Sequence, residues 1–270
     1  MFIVNHPAQE PTYGHGAIGD PADVKWNGTG KHHRKFIERN GLYLNGIGSS
    51  PEPGLLLFWG EYEPASSGRR IATGPASPKV IHDKLEPVKG KNVIPPSCKP
   101  GSCINTDPYV FGDEFYYCCC KRRKCNKYNK GDIILFGTAA GTPIKFHLDT
   151  VVVVKETRDV KAFSNTSNYW KCALDPRLHA KNPPTTVIVG ETYSTNPDIF
   201  SFVPSHIATD KVFAPTKPVI DVTKYGFKPI TSTRYEPAPV MASSPKAFKD
   251  LLNDILGQGF LPAAYIAPVV

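Results

Sequence analysis

Gly131-Asp-Ile-Ile-Leu-Phe-Gly137 and Phe146-His-Leu-Asp-Thr-Val-Val-Val-Val154, joined by Thr138 to Pro143, decide the fold. The first is a short apolar run bounded by glycines. The second is a β-branched run long enough to lie in the middle of a sheet. A link this short predicts a hairpin or a tight barrel corner between them. Downstream, Thr186-Val-Ile-Val-Gly-Glu-Thr-Tyr193 and Ile199-Phe-Ser-Phe-Val203 read as two more strands around an Asn196-Pro-Asp198 turn. One helix is expected near the C-terminus. There Ser244-Pro245 supplies a cap and a first turn, Phe248, Leu251, Leu252 and Ile255 keep helical spacing, and Gly257 stops the run.

Upstream, Leu55-Leu-Leu-Phe-Trp-Gly-Glu-Tyr-Glu-Pro64 is an apolar strand that runs into aromatics interleaved with two carboxylates. Gly41-Leu-Tyr-Leu-Asn-Gly46 and Lys79-Val-Ile-His82 read as short strands, Ser66 to Ile71 as a turn, and Trp26 to Phe36 as a structured loop. A second loop, rich in Pro, Cys and Lys, runs from about Glu86 to Thr106. With 27 Pro and 22 Gly, the chain leaves little room for long helices. The expected fold class is α+β, mainly β. It is a small barrel or half-barrel elaborated by long loops and a C-terminal helix, in one domain over 1–270 with a Cys-rich basic insert at about 95–128.

The excess of 32 Lys+Arg over 24 Asp+Glu, a formal +8, suits anionic partners without the charge density of a DNA coat. No apolar run approaches the roughly 18 residues of a membrane span, and Met1-Phe-Ile-Val-Asn-His lacks the features of a signal peptide. A cytoplasmic protein without a membrane partner is expected.

Three constellations carry candidate chemistry. In the first, strand alternation sends Trp59, Glu61 and Glu63 to one face and Phe58, Gly60 and Tyr62 to the other, and Pro64 ends the ladder. A ring beside two acids, with Arg69, Arg70 and Lys79 nearby, is what a pocket for a planar ligand requires. The plainer alternative is a core indole with solvated acids. In the second, Asn105-Thr-Asp-Pro-Tyr-Val-Phe-Gly-Asp-Glu-Phe-Tyr-Tyr117 crowds five rings into a short segment. Phe111 can line a second pocket wall there, with Asp107 or Asp113 reading a donor edge, or the rings can simply pin a loop to the core.

The third is the cysteine cluster. Cys98-x4-Cys103 and Cys120-x4-Cys125 could give four thiolates to a zinc, helped by the basic Lys121-Arg-Arg-Lys124. That spacing is loose for a structural zinc site, and reduced cysteines in a basic loop are the alternative. No resident cofactor is otherwise expected. Gly28-Thr-Gly-Lys31 lacks the earlier glycine and the Ser/Thr of a phosphate loop, and no hydrolase motif is present. His32, His33 and Lys35 are candidate phosphate contacts or a solvated surface, and His82 and His147 fall in strand patterns.

The residues at Leu55–Ser67, Asn105–Cys120 and Gly131–Val154 together resemble the PUA-like superfamily, which holds ASCH, EVE and nucleotide-modification-associated domains. The resemblance implies a small β-barrel that binds nucleic acid or a modified base in an aromatic pocket, in bacterial or phage modification and defence systems. It makes Trp59 and Tyr62 the stacking residues and Glu61 the reader of a base edge. The chain length and the Cys-rich insert depart from that pattern. Three functions follow as expectations. The first is a binder of a free nucleotide, a modified base or nucleic acid, with Arg69, Arg70, Lys121, Arg122 and Arg123 neutralising phosphate. The second is a nucleotide-acting hydrolase or transferase using Glu61, Glu63 and Asp107 with His82 assisting. The third is a zinc-stabilised interaction protein. Whether the chain is an enzyme, and its oligomeric state, stay open at this point.

Overall fold

The computed structural model describes residues 1–5, 34–64, 66–70, 80–85, 107–113, 115–118, 125–164, 166–178, 183–209, 216–233, 237–240 and 244–269, apart from the side chains of residues 70, 126, 176 and 177. Within them the chain is mainly β. Its strands are β1 (Phe2–Asn5), β2 (Arg34–Tyr43), β3 (Glu52–Glu61), β4 (Ser66–Arg70), β5 (Val80–Leu85), β6 (Tyr116–Tyr117), β7 (Ile133–Ala140), β8 (Lys145–Asp159), β9 (Thr186–Gly190), β10 (Val203–Ile207), β11 (Val219–Ile220) and β12 (Leu261–Ile266). The helices are a short α1 (Asp175–Leu178) and α2 (Pro245–Leu256).

Two six-stranded sheets form. The first runs β1-β7-β8-β9-β6, with β11 added on β8; the second runs β12-β10-β3-β2-β5-β4. Because β12 pairs with both β10 and β2, strands β2, β3, β10 and β12 close into a four-stranded barrel, which removes sheet edges there.

The decisive stretch folds as its pattern requires. β7 and β8 are antiparallel, from Ile133 opposite Val153 to Ala140 opposite Lys145. The alternation of β8 divides the core. Val152 and Val154 join Ile134, Phe136, Ile37 and Phe58 in one buried cluster, while Val151 and Val153 join Leu135, Phe202 and the apolar face of α2 in another. Ser244 caps α2 by accepting from the Ala247 N–H at 3.1 Å, and Phe248, Leu251, Leu252 and Ile255 are buried. The Phe248 ring lies 5.3 Å from that of Phe200 and 6.0 Å from that of Phe202. α2 ends at Leu256 with Gly257 as its C-cap, as expected, and the left-handed residue that turns the chain afterwards is Gly259.

Several local readings are corrected. Arg34, Lys35 and Phe36 belong to the long β2 rather than to a loop, because each has a partner on β3. Ser66 to Arg70 is strand rather than turn, held by β5. The strand expected at Ile199–Val203 begins at Val203 instead; Phe202 forms an isolated bridge to Val151, and Ser201 Oγ accepts from the Val153 N–H.

Candidate functional site

The alternation read at Trp59 holds along β3. Arg34 stands opposite Glu61, and Phe36 opposite Trp59, so these four side chains share one face. Ile37 and Phe58 share the other face, in the main core. The Trp59 ring is 5% exposed and packs with Phe36, Leu57 and Ile81, its centroid 5.3 Å from that of Phe36. The acids beside it are not solvated. Glu61 is buried, with Oε1 3.6 Å from Arg34 Nη2.

Sequence reasoning missed the other half of this site. In the β7–β8 ladder, Phe136 faces Thr150 and Gly137 faces Leu148, so Asp149 is the extra residue of a bulge. A bulge turns its unpaired side chain away from the regular alternation, and Asp149 leaves the apolar faces of β8 to meet the Trp59 face of the barrel. Its Oδ2 lies 2.7 Å from Arg34 Nη1, and its Oδ1 lies 2.6 Å from Lys217 Nζ. Arg34 also donates to Thr138 Oγ1 on β7. Lys217 precedes β11, whose segment is tied to β8 by the Leu148 N–H donating to the Pro218 carbonyl at 2.9 Å. The Lys217 ammonium sits 5.1 Å from the centroid of the Trp59 ring.

Arg34, Glu61, Asp149 and Lys217 thus form a buried cluster of two cations and two anions, each residue between 2% and 7% exposed, against an indole. Beside it lies a cavity of about 10 Å³, room for one water, between Trp59, Asp149, Lys217, His206, Pro204 and Phe260. Burial lowers the pKa of His206, and its ring packs at 4.3 Å on Phe260. Two sequence signals mark the bulge: a glycine inside a strand pattern, and an acid inside a β-branched run. A Cβ on residue 137 would lie 2.3 Å from the His147 carbonyl oxygen and 2.6 Å from the Phe146 ring. Only glycine admits that approach.

The remaining expected site residues lie elsewhere. Tyr62 is fully buried on the opposite face, its ring 5.6 Å edge-on to Phe111 and its hydroxyl 3.9 Å from Cys172 Sγ, so it cannot stack a ligand together with Trp59. Phe111 packs with Phe58 and Tyr109 and is a core residue rather than a pocket wall. Asp107 is fully buried, accepting from the Cys118 N–H at 2.8 Å and from its thiol at 3.3 Å; it organises the ring-rich loop instead of joining Glu61. Asp113 is exposed. Glu63 is fully buried, but the ladder ends at Glu61, so the alternation does not extend to it.

Arg69 is held by Glu38 through two contacts of 2.6 Å and lies 3.6 Å from Asp83, which commits it to carboxylates rather than to phosphate. His82 is buried against Ser66, with Nδ1 3.1 Å from Oγ; burial first and the Lys35 charge second push its pKa down to about 3, so it is neutral and sequestered. Lys35 donates to the Pro64 carbonyl at 2.6 Å and lies over the Tyr62 ring instead of facing a ligand. Cys125 is disulfide-bonded, which corrects its expected state as a thiol or zinc ligand.

The Arg70 side chain, residues His32 and His33, Cys98, Cys103, Cys120, Lys121, Arg122 and Arg123 lie outside the described residues. Among the described residues no group of three His, Cys, Asp or Glu is placed to hold a metal, and no helix is long and apolar enough to cross a membrane. No protein-family model, curated protein or solved structure matches the chain.

Proposed function

We propose that this chain is a binding module for a nucleobase, carried by a nucleoside, a nucleotide or a nucleic acid and including modified bases, and that the base lies against Trp59. One observation carries the reading: a buried ionic cluster placed against an indole by a β-bulge. Burying four charges is a poor way to stabilise a barrel, since apolar residues of the same volume hold a core as well or better. Groups kept at that cost, and aimed by a bulge, point to recognition. Carboxylates and an arginine that can pair with the polar edge of a ring, beside an aromatic face, match the chemistry of a base. The net charge of +8 and the resemblance to PUA-like domains agree with such a ligand. Recognition on this reading is non-covalent. A hydrolase built on Glu61 with Asp107 gains no support, because Asp107 is occupied by Cys118.

The experiment is a thermal-shift screen of ordinary and modified nucleosides and nucleotides against wild-type protein and Trp59→Leu. A ligand at about 100 times its Kd stabilises the native state by about 2.7 kcal/mol, well within detection. The reading predicts a raised Tm with at least one base, lost in Trp59→Leu. A wild-type Tm that no base moves refutes it.

A further inference from the structure

We infer that residues 267–269 are a strap lying in a groove for an extended acidic peptide, and that such a peptide binds by lifting the strap and pairing with Arg39. The inference goes beyond base binding and concerns another face of the barrel. Arg39 stands opposite Leu56 in the β2–β3 ladder, on the face away from Trp59. β12 ends at Ile266, and the chain that follows crosses three elements. The Gly112 N–H donates to the Ile266 carbonyl at 2.8 Å, and the Ala267 N–H donates to the Asn40 carbonyl at 2.8 Å. Arg39 donates to the Pro268 carbonyl and the Asn168 amide to the Val269 carbonyl. These contacts all grip the main chain. One side chain of the strap is taken in: Val269 is fully buried in the core cluster that holds Tyr62, Tyr109 and Cys172, whereas Pro268 is exposed and Ala267 half-buried. Main-chain hydrogen bonds with a pocket for a side chain are how proteins hold extended peptides. The room such a ligand needs is the room the strap fills.

Arg39 decides the class of ligand. Its Nε is buried without a hydrogen-bond partner among the described residues, and the guanidinium makes no ion pair with any of them. Burial lowers its pKa, while the nearby phenols of Tyr62 and Tyr109 act in the opposite sense. A partly desolvated cation is thus met by one neutral carbonyl. A carboxylate at that place takes both the Nη2 donor, now given to Pro268, and the unused Nε in one two-pronged contact, the geometry an arginine fork matches best. The strap brings no acid of its own, since residues 266–269 are Ile, Ala, Pro and Val. An acidic peptide of the same backbone therefore fits the groove better than the strap does. Pro268 has no N–H, so pairing with β2 stops after Ala267, and a segment held this briefly opens locally while the barrel stays folded.

Calorimetry of the full chain at constant ionic strength tests this with acetyl-Tyr-Ile-Ala-Asp-Val-amide and its neutral match, acetyl-Tyr-Ile-Ala-Asn-Val-amide, against wild type, Val269→Gly and Arg39→Gln. The Asp peptide should bind about tenfold tighter than the Asn peptide, the worth of one charge-assisted contact, and the preference should vanish in Arg39→Gln. Val269→Gly weakens the strap, so both peptides should bind that variant about tenfold tighter than wild type. Equal binding of the two peptides, or no binding of the Asp peptide to Val269→Gly, overturns the inference. Hydrogen exchange in wild type keeps it falsifiable even if Val269→Gly does not fold. The Ala267 amide should exchange about tenfold or more faster than the Val151 amide, which donates to the Phe202 carbonyl at 2.9 Å; equal rates, both set by global unfolding, overturn the strap.

Discussion

Replacing Asp149 by Asn removes a charge that contacts two buried cations. Its carboxylate lies 2.7 Å from Arg34 and 2.6 Å from Lys217. At an effective dielectric of 20, each contact is worth roughly 6 kcal/mol of gross attraction, most of which is offset by the cost of desolvating the three ions. The amide keeps the shape and loses the charge, so Arg34 keeps Glu61 at 3.6 Å and Lys217 loses its carboxylate contact at 2.6 Å. The expected net loss is about 3–5 kcal/mol, the range for breaking a buried pair from one side. Urea unfolding reads it as a fall in midpoint at unchanged slope. The control is Asp250→Asn, whose partner Lys246 is 85% exposed on α2; it should cost less than about 0.5 kcal/mol. An Asp149→Asn loss below about 1 kcal/mol would refute the claim that this cluster is buried and coupled.

Three further outcomes follow from the same geometry. The His82 pKa, lowered from 6.5 to about 3 by burial and by Lys35, means that the unfolded chain takes up a proton there which the folded chain refuses. That contribution is complete above pH 6.5 and is lost as pH falls toward 3. Unfolding free energy should therefore drop by about 2 kcal/mol between pH 7 and pH 5 in wild type, and by less in His82→Gln. Gly137→Ala should cost roughly 2–3 kcal/mol, because its Cβ meets the His147 carbonyl and the Phe146 ring, and it should weaken ligand binding by disturbing the bulge that aims Asp149; circular dichroism melts and the calorimetric titration read the two effects. Ser244→Ala should cost about 1 kcal/mol through the lost cap of α2, with ligand affinity unchanged.

Much of the fold was legible because it is local. Short apolar and β-branched runs marked β3, β7, β8 and β9, and cap, spacing and glycine marked α2. The two faces of β3 at Phe58 and Trp59 were likewise readable from alternation alone. What alternation forbade was the joint stacking role given to Trp59 and Tyr62, since residues three apart on a strand face opposite ways. β4 was hidden because Ser66-Ser-Gly-Arg-Arg70 has turn composition, and only pairing with β5 makes it a strand. The site itself was half visible. Trp59 and Glu61 announced themselves, whereas Arg34, Asp149 and Lys217 come from distant parts of the chain and meet only through the barrel and the bulge. No spacing rule connects them. Gly137, which bounds an apolar run in the sequence, lies inside β7, and β8 is irregular opposite it.

The most direct measurement uses a protein in which Trp59 is the sole indole, made by Trp26→Phe and Trp170→Phe, titrated with a nucleoside that raises the wild-type Tm while its fluorescence is followed. A base laid against the ring quenches the excited indole, so the account predicts saturable quenching with the same Kd as calorimetry. Binding detected by heat with the Trp59 emission unchanged would place the ligand elsewhere and contradict the account.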